Sequence, residues 1–158
     1  MKLALATVNQ TPLDWTGNLQ RIIAATDQAK KEGARLIFFP ELCITGYGSE
    51  DLFLSYWYPA KALDQVQLLL PHSQGVTIAV GLPYRIQDKV YNTMALLEDG
   101  ELKGFVAKQF MAIDGVHYEF RWFTPWKANE QIEVDFFGEK IPFGDITFEK
   151  EGIQYGFE

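Results

Sequence analysis

Arg35-Leu36-Ile37-Phe38-Phe39-Pro40-Glu41 decides how the remainder of this 158-residue chain is read. An unbroken apolar run this short is too brief for a buried helix and suits a strand covered on both faces, as in parallel sheets. Pro40 closes it, because proline cannot continue a sheet ladder. Upstream, Lys2 to Val8 is a second compact run of small and β-branched residues. Between the two, Leu19, Ile22, Ile23, Thr26 and Ala29 share one face at helical spacing. Asn18 is the expected N-cap of that helix, and Gly33 its stop, with Lys30 and Lys31 in the last turn where they suit the dipole. The result is a β-α-β unit with a right-handed crossover. Glu41 then stands at the carboxyl end of a parallel strand, the place where α/β folds bind ligands.

Downstream, a loop from Glu41 to Ser49 contains Gly46 and Gly48. Glu50 to Trp57 reads as a short helix, and Pro59 as the first position of the next one. Ala62, Leu63, Val66, Leu69 and Leu70 give that helix its apolar face, and Val76 to Leu82 follows as a third buried strand. Val90 to Glu98 and Glu101 to Lys108 flank Asp99-Gly100, a dipeptide favoured in tight hairpin turns. Two further hairpins are expected: Ile132 to Phe137 with Ile141 to Phe143 around Gly138, and Asp145 to Phe148 with Ile153 to Phe157 around Glu151-Gly152. The fold class is α/β.

Composition narrows the function. With 47% hydrophobic residues the chain is globular, long enough to bury roughly two thirds of its unfolded surface. A net charge of −7 argues against nucleic acid as a partner, since phosphate binding needs clustered Lys and Arg. The single cysteine, Cys43, excludes an internal disulfide and a cysteine-based zinc cage. The first residues lack a signal-peptide pattern, and no apolar stretch approaches the ~20 residues of a membrane span, so a cytoplasmic setting is expected.

Few side chains qualify for chemistry. Apolar neighbours and Pro40 would hold Glu41 partly out of water, as a general base requires, although position alone favours an ordinary solvated glutamate. Lys108 ends a strand and could stabilise a developing oxyanion; alone, it reads as a lysine snorkelling off a strand end. Cys43 lies two residues from Glu41 but within the apolar cluster Leu42-Cys43-Ile44, which points to a buried, inert thiol. His117-Tyr118-Glu119 has the His-x-Glu of zinc deaminases without the Pro-Cys-x-x-Cys that completes their site.

Together these pieces resemble a known family. Phe38-Phe39-Pro40-Glu41-Leu42-Cys43-Ile44-Thr45-Gly46-Tyr47 is similar to the glutamate motif of the nitrilase, or carbon–nitrogen hydrolase, superfamily. Gly48-Ser49-Glu50-Asp51-Leu52 narrows the resemblance to the glutaminase domains of glutamine-dependent NAD synthetases. Val8-Asn9-Gln10-Thr11-Pro12, with Asp14-Trp15 and Asn18, is similar to that family's start. Lys108 lies 67 residues after Glu41, close to the family spacing, and Glu119-Phe120-Arg121-Trp122-Phe123 resembles the block that follows the lysine.

The resemblance implies a nitrilase-like α-β-β-α sandwich, of which residues 1–158 would be the N-terminal portion. It implies Glu41 as general base, Lys108 as oxyanion stabiliser, and Glu119 as a support for Lys108 or a contact for the amino group of glutamine. Tyr47 would line the glutamine pocket, with Asp114 and His117 near it. The nucleophilic cysteine of the family follows a Gly-Phe-Glu-x-Cys pattern, and Gly156-Phe157-Glu158 supplies only its first part. The chain alone is therefore expected not to hydrolyse glutamine. No cofactor is implied for this domain; ATP and magnesium would serve a C-terminal synthetase domain of the same polypeptide, in a protein expected to be a homo-oligomer. A stand-alone amidase of the superfamily and a catalytically silent binding module are the alternatives.

Overall fold

Three parallel strands carry the first part of the chain. The computed structural model describes residues 1–115 and 118–157. β1 (Leu3–Leu5) pairs with β2 (Leu36–Phe38), and β2 with β3 (Thr77–Ile86), in the registers Leu3↔Leu36 and Leu36↔Thr77. β1 is shorter than its apolar run because it is the sheet edge and pairs over three residues only.

α1 (Trp15–Lys31) crosses from β1 to β2. Its N-cap is Asp14, whose carboxylate accepts from the Gly17 N–H at 3.0 Å, rather than Asn18 as expected. Asn18 sits inside the helix and is buried. Its side chain exchanges two hydrogen bonds with the Thr11 backbone, each 2.9 Å, and donates to the Ile44 carbonyl at 3.3 Å. Gln10 adds a bond to the Cys43 carbonyl at 2.7 Å. An inward-facing amide serves tertiary carbonyls here, so the capping task falls to the carboxylate one turn earlier. The loop following Glu41 is thereby fastened to α1.

The helix expected over Glu50–Trp57 is instead a 3₁₀ segment over Tyr47–Leu54, interrupted at Gly48 and at Glu50, whose φ of 49° no helix accommodates. α2 (Trp57–Leu69) places Pro59 at its third position, where a missing N–H also costs nothing, since the first turn has no intrahelical acceptors to use. Ile22, Ala62, Val66 and Leu69 join β3 and its neighbours in the main core.

β3 runs past Pro83 to Ile86, further than the sequence suggests, and turns through Gln87-Asp88 into β4 (Lys89–Glu98). Bonds from Phe39 N–H to the Ala79 carbonyl (2.9 Å) and from Ile44 N–H to the Gly81 carbonyl (3.0 Å) show that odd-numbered β3 residues direct their backbone away from β4. β2 pairs no further than Ala79, so Pro83 removes no ladder bond. β4 and β5 (Glu101–Ala107) form the expected hairpin. β6 (Gln131–Phe136) and β7 (Glu139–Gly144) form another, and β7 lies parallel to β5, completing the seven-stranded order β1-β2-β3-β4-β5-β7-β6. β8 (Phe148–Lys150) and β9 (Ile153–Tyr155) make a separate hairpin, which starts at Phe148 rather than Asp145. Its aromatic side packs on the sheet through Phe38, with ring centroids 6.5 Å from Tyr155 and 5.4 Å from Phe157.

Gly81 fixes how closely the Glu41 turn approaches the sheet. A Cβ there would lie 2.3 Å from the Leu42 nitrogen and 2.9 Å from the Glu41 Cα. Both are backbone atoms, so the turn would have to move. Gly81→Ala should destabilise the protein by about 2 kcal/mol through overpacking and shift the Glu41 turn. Denaturant unfolding checks the first effect; an unchanged midpoint would show that the turn yields freely.

Candidate active site

β2 and β5 end, and β4 begins, on the same side of the sheet, and there they assemble one polar cluster. Glu41 follows β2 in a tight turn, where the Cys43 N–H bonds the Pro40 carbonyl at 3.2 Å. Leu42 takes φ of 51°, a left-handed conformation unusual for a leucine, and is fully buried with Phe53, Tyr58, Val90, Met111 and Phe123. The turn therefore stores strain that its apolar anchor offsets, and the product is a fixed direction for the Glu41 side chain.

Lys108 leaves the end of β5, its N–H bonded to the Asn92 carbonyl of β4 at 2.9 Å. Its ammonium donates to Glu41 Oε1 at 2.8 Å and to Glu119 Oε2 at 2.9 Å. Glu119 opens a single 3₁₀ turn, Glu119–Arg121, and is 0% exposed. Its Oε2 also accepts from the Ala112 N–H at 2.7 Å, while its Oε1 accepts from the Asn92 amide at 3.2 Å. That same Asn92 amide donates to Glu41 Oε1. The Asn92 amide and the Ala112 N–H thus join the ammonium as donors to the two carboxylates.

Charge and burial set the protonation states. Burial alone would lower Lys108, but its hydrogen bonds to Glu41 and Glu119 outweigh it and hold the ammonium above its ordinary 10.5. For Glu119, burial pushes upward and is outweighed by Lys108 and the Ala112 N–H, leaving the carboxyl below its ordinary 4.5. Tyr47 stands beside both carboxylates; burial first, then the charges of Glu119 and Glu41, raise its phenol above 10. A cavity of about 40 Å³ is lined by Glu41, Asn92, Thr93, Met94, Lys108 and Phe157, among others.

Four residues singled out from sequence, Glu41, Tyr47, Lys108 and Glu119, are therefore brought together. Cys43 is not. It is 2% exposed, its Sγ faces the Gly81 carbonyl at 3.8 Å, and burial pushes the thiol up to about 12. Asp114 lies exposed in a bend, and His117 lies outside the described residues. Among the described residues no three His, Cys, Asp or Glu side chains are grouped to hold a metal ion, and no helix is long and apolar enough to cross a membrane.

Sequence reading missed Asn92. The signal available was a polar Asn-Thr pair in the middle of the otherwise apolar strand Val90 to Glu98. It missed Asp51 as a clamp too. Asp51 accepts both Arg121 Nε (2.7 Å) and Nη2 (2.8 Å), and the Trp122 indole at 2.9 Å. Arg121, then Trp122, hold its carboxyl well below the usual range. This fork ties the turn bearing Glu119 to the segment bearing Tyr47.

The site is thus a carboxylate and a lysine at strand ends of an α/β sheet, with a second carboxylate locking the lysine. Residues 2–158 match the carbon-nitrogen hydrolase family, and the chain belongs to it. The relatives it resembles are glutamine-dependent NAD(+) synthetases. That of Bos taurus is 34% identical over 159 residues, covering 92% of this chain, and that of Dictyostelium discoideum 36% over 135 residues, covering 84%. The chain spans 22% and 19% of their respective lengths. The crystal structure of a glutamine-dependent NAD(+) synthetase from Cytophaga hutchinsonii superposes with a TM-score of 0.94 at 44% identity, over 98% of this chain and 27% of that one. An amidase from Nesterenkonia sp. shares the fold, with a TM-score of 0.69 at 21% identity over 90% of this chain and 54% of its own. The nitrilase-type fold expected from the sequence is thus the one observed.

Acid should dismantle the polar cluster. Glu119 has its folded-state value below 4.5, so its stabilising contribution is present above 4.5 and is lost as pH falls through the lowered value. Lys108, held above 10.5, contributes below that value and ceases to as pH rises through the raised one. Urea midpoints measured against pH should fall steeply on the acid side, and Glu119→Gln should flatten that limb. If both proteins lose stability in parallel, another carboxylate is responsible.

Proposed function

We propose that this chain is the N-terminal part of a glutaminase domain that supplies ammonia to a synthetase domain of the same polypeptide. The observation that carries the reading is the Lys108 ammonium held between Glu41 and Glu119, at 2.8 and 2.9 Å. Similarity to glutamine-dependent NAD(+) synthetases supports glutamine as the substrate.

The chemistry follows from the charges. Glu41 takes the proton of a cysteine thiol, and the thiolate attacks the side-chain amide carbon of glutamine. An ammonium has three N–H groups; two are engaged by the carboxylates, and the third can meet the oxyanion as it forms. The tetrahedral adduct collapses, the C–N bond breaks, and protonated Glu41 returns its proton to the leaving nitrogen, releasing ammonia. Water, deprotonated by Glu41, then cleaves the thioester to glutamate and restores the thiol. Glu119 fixes Lys108, and Tyr47 borders the glutamine site. In this reading the nucleophile comes from the segment that continues the Gly156-Phe157-Glu158 pattern; Phe157 already borders the cavity with Glu41 and Lys108.

In the whole protein, a cytoplasmic homo-oligomer on this reading, the ammonia amidates a deamido-NAD activated by ATP with magnesium in the synthetase domain. The glutaminase half uses side chains alone.

The full-length protein should release glutamate and ammonia from glutamine. Glu41→Gln and Lys108→Ala should each lower that rate by ~10³-fold or more, on the scale of lost acid–base or oxyanion assistance. Cys43→Ala should leave it within about threefold, because a buried thiol of raised pKa takes no part. Residues 1–158 alone should release no ammonia. Turnover by the isolated chain that Cys43→Ala abolishes would refute the scheme.

A further inference from the structure

The two carboxylates of the cluster are bridged twice, once by the Lys108 ammonium and once by a neutral group. Asn92 is 3% exposed and sits on β4 opposite Pro83. The next pair along the β4–β5 ladder after Thr93↔Ala107 brings it beside Lys108, whose N–H bonds its carbonyl at 2.9 Å. One terminal nitrogen, Nδ2, donates to Glu41 Oε1 and to Glu119 Oε1. A primary amide carries two hydrogens on that nitrogen, so both are spent, one on each carboxylate. The opposite amide orientation would set a carbonyl oxygen against two anions, which fixes the direction of the group.

The consequence falls on Glu41. Asn92 and Lys108 both donate to its Oε1. Two donors converging on one oxygen fix the orientation of the carboxylate. We propose that Asn92 is a positioning residue of this centre, clamping Glu41 and Glu119 through one hydrogen each, so that the Glu41 carboxylate is held in the orientation in which it accepts the proton in catalysis. The proposal rests on the amide-hydrolysis reading above. The charged and titratable groups that face Asn92 are Glu41 after β2, Lys108 after β5 and Glu119 on its 3₁₀ turn, with Tyr47 beside the carboxylates.

A residue that acts by orientation affects turnover more than binding, because a misplacement of about 1 Å can cost ~10²-fold in rate. The test uses the full-length protein with glutamine as substrate. Asn92→Asp keeps the shape and replaces the donor by an acceptor; Asn92→Ser removes the bridge with less charge change. Both should lower kcat by roughly 10- to 100-fold with KM changed less than about threefold. The acid limb of the kcat/KM profile should move to higher pH, further for Asn92→Asp, because a lost donor and an added negative charge both favour the protonated carboxyl pair.

Native turnover combined with unchanged kcat and pH profile in folded variants would overturn the proposal and leave the glutaminase reading standing. Failure of both variants to fold, judged by thermal unfolding, would assign Asn92 to the fold alone and overturn it as well. Absence of glutamine turnover in the native full-length protein would sink both readings together.

Discussion

One ammonium between two carboxylates is the interaction on which this structure turns. Glu41, Lys108 and Glu119 together carry a net negative charge at a place where Glu119 is fully buried and the Lys108 side chain is 18% exposed. Withdrawing such groups from water costs several kcal/mol per ion unless each lone pair and proton finds a partner. The deficit is met by neutral donors, the Asn92 amide and the Ala112 N–H. That requirement fixes where three distant segments go: the end of β2, the adjacent ends of β4 and β5, and the loop that brings Glu119 back over them.

Around this centre, polar contacts hold loops rather than layers. Gln10 and Asn18 tie the carbonyls of Cys43 and Ile44 to α1, and Arg21 bonds Gln10 (2.8 Å) and Asn18 (2.6 Å) in turn. On the other side, Asp51 grips Arg121 and Trp122. Exposed ion pairs contribute little to global stability, so the role of this fork is orientation of the Glu119 turn relative to Tyr47. The apolar counterpart is the small cluster around Leu42 and Phe53, which stabilises a left-handed residue directly after the candidate base. Rigid placement of a few side chains is what electrostatic catalysis requires, since preorganised charges need no reorientation as the transition state forms.

Much of this was legible in the residues because it is local or patterned. Apolar runs located β2 and β3, the 3.6-residue spacing located α1 and α2, and Asp99-Gly100 located the β4–β5 turn. Boundaries failed where a tertiary contact overrode a local signal. The third strand was expected to end at Leu82, yet β3 continues through Pro83 because the N–H that proline lacks would have faced a side where β2 has already stopped. Asn18 looked like a cap, yet tertiary carbonyls claim its amide. In the site, Glu41 and Lys108 carried motif and spacing, whereas Asn92 had neither. Its role follows from strand pairing, which sequence periodicity does not encode.

The seating of the Glu41 turn also explains why Cys43 stays apart from the polar cluster. Glu41 and Cys43 are two residues apart, but the turn that aims the carboxylate at Lys108 aims the thiol at the Gly81 carbonyl on the sheet. The close approach that Gly81 permits is thus what separates them: it seats the turn against β3, buries the sulfur and raises its pKa to about 12. A thiol so held cannot supply a thiolate at neutral pH, however near the base stands in sequence. The same seating leaves Glu41 facing the cavity that Lys108 and Phe157 border. Backbone contact at one glycine therefore sets both the meeting of Glu41 with Lys108 and the burial of Cys43.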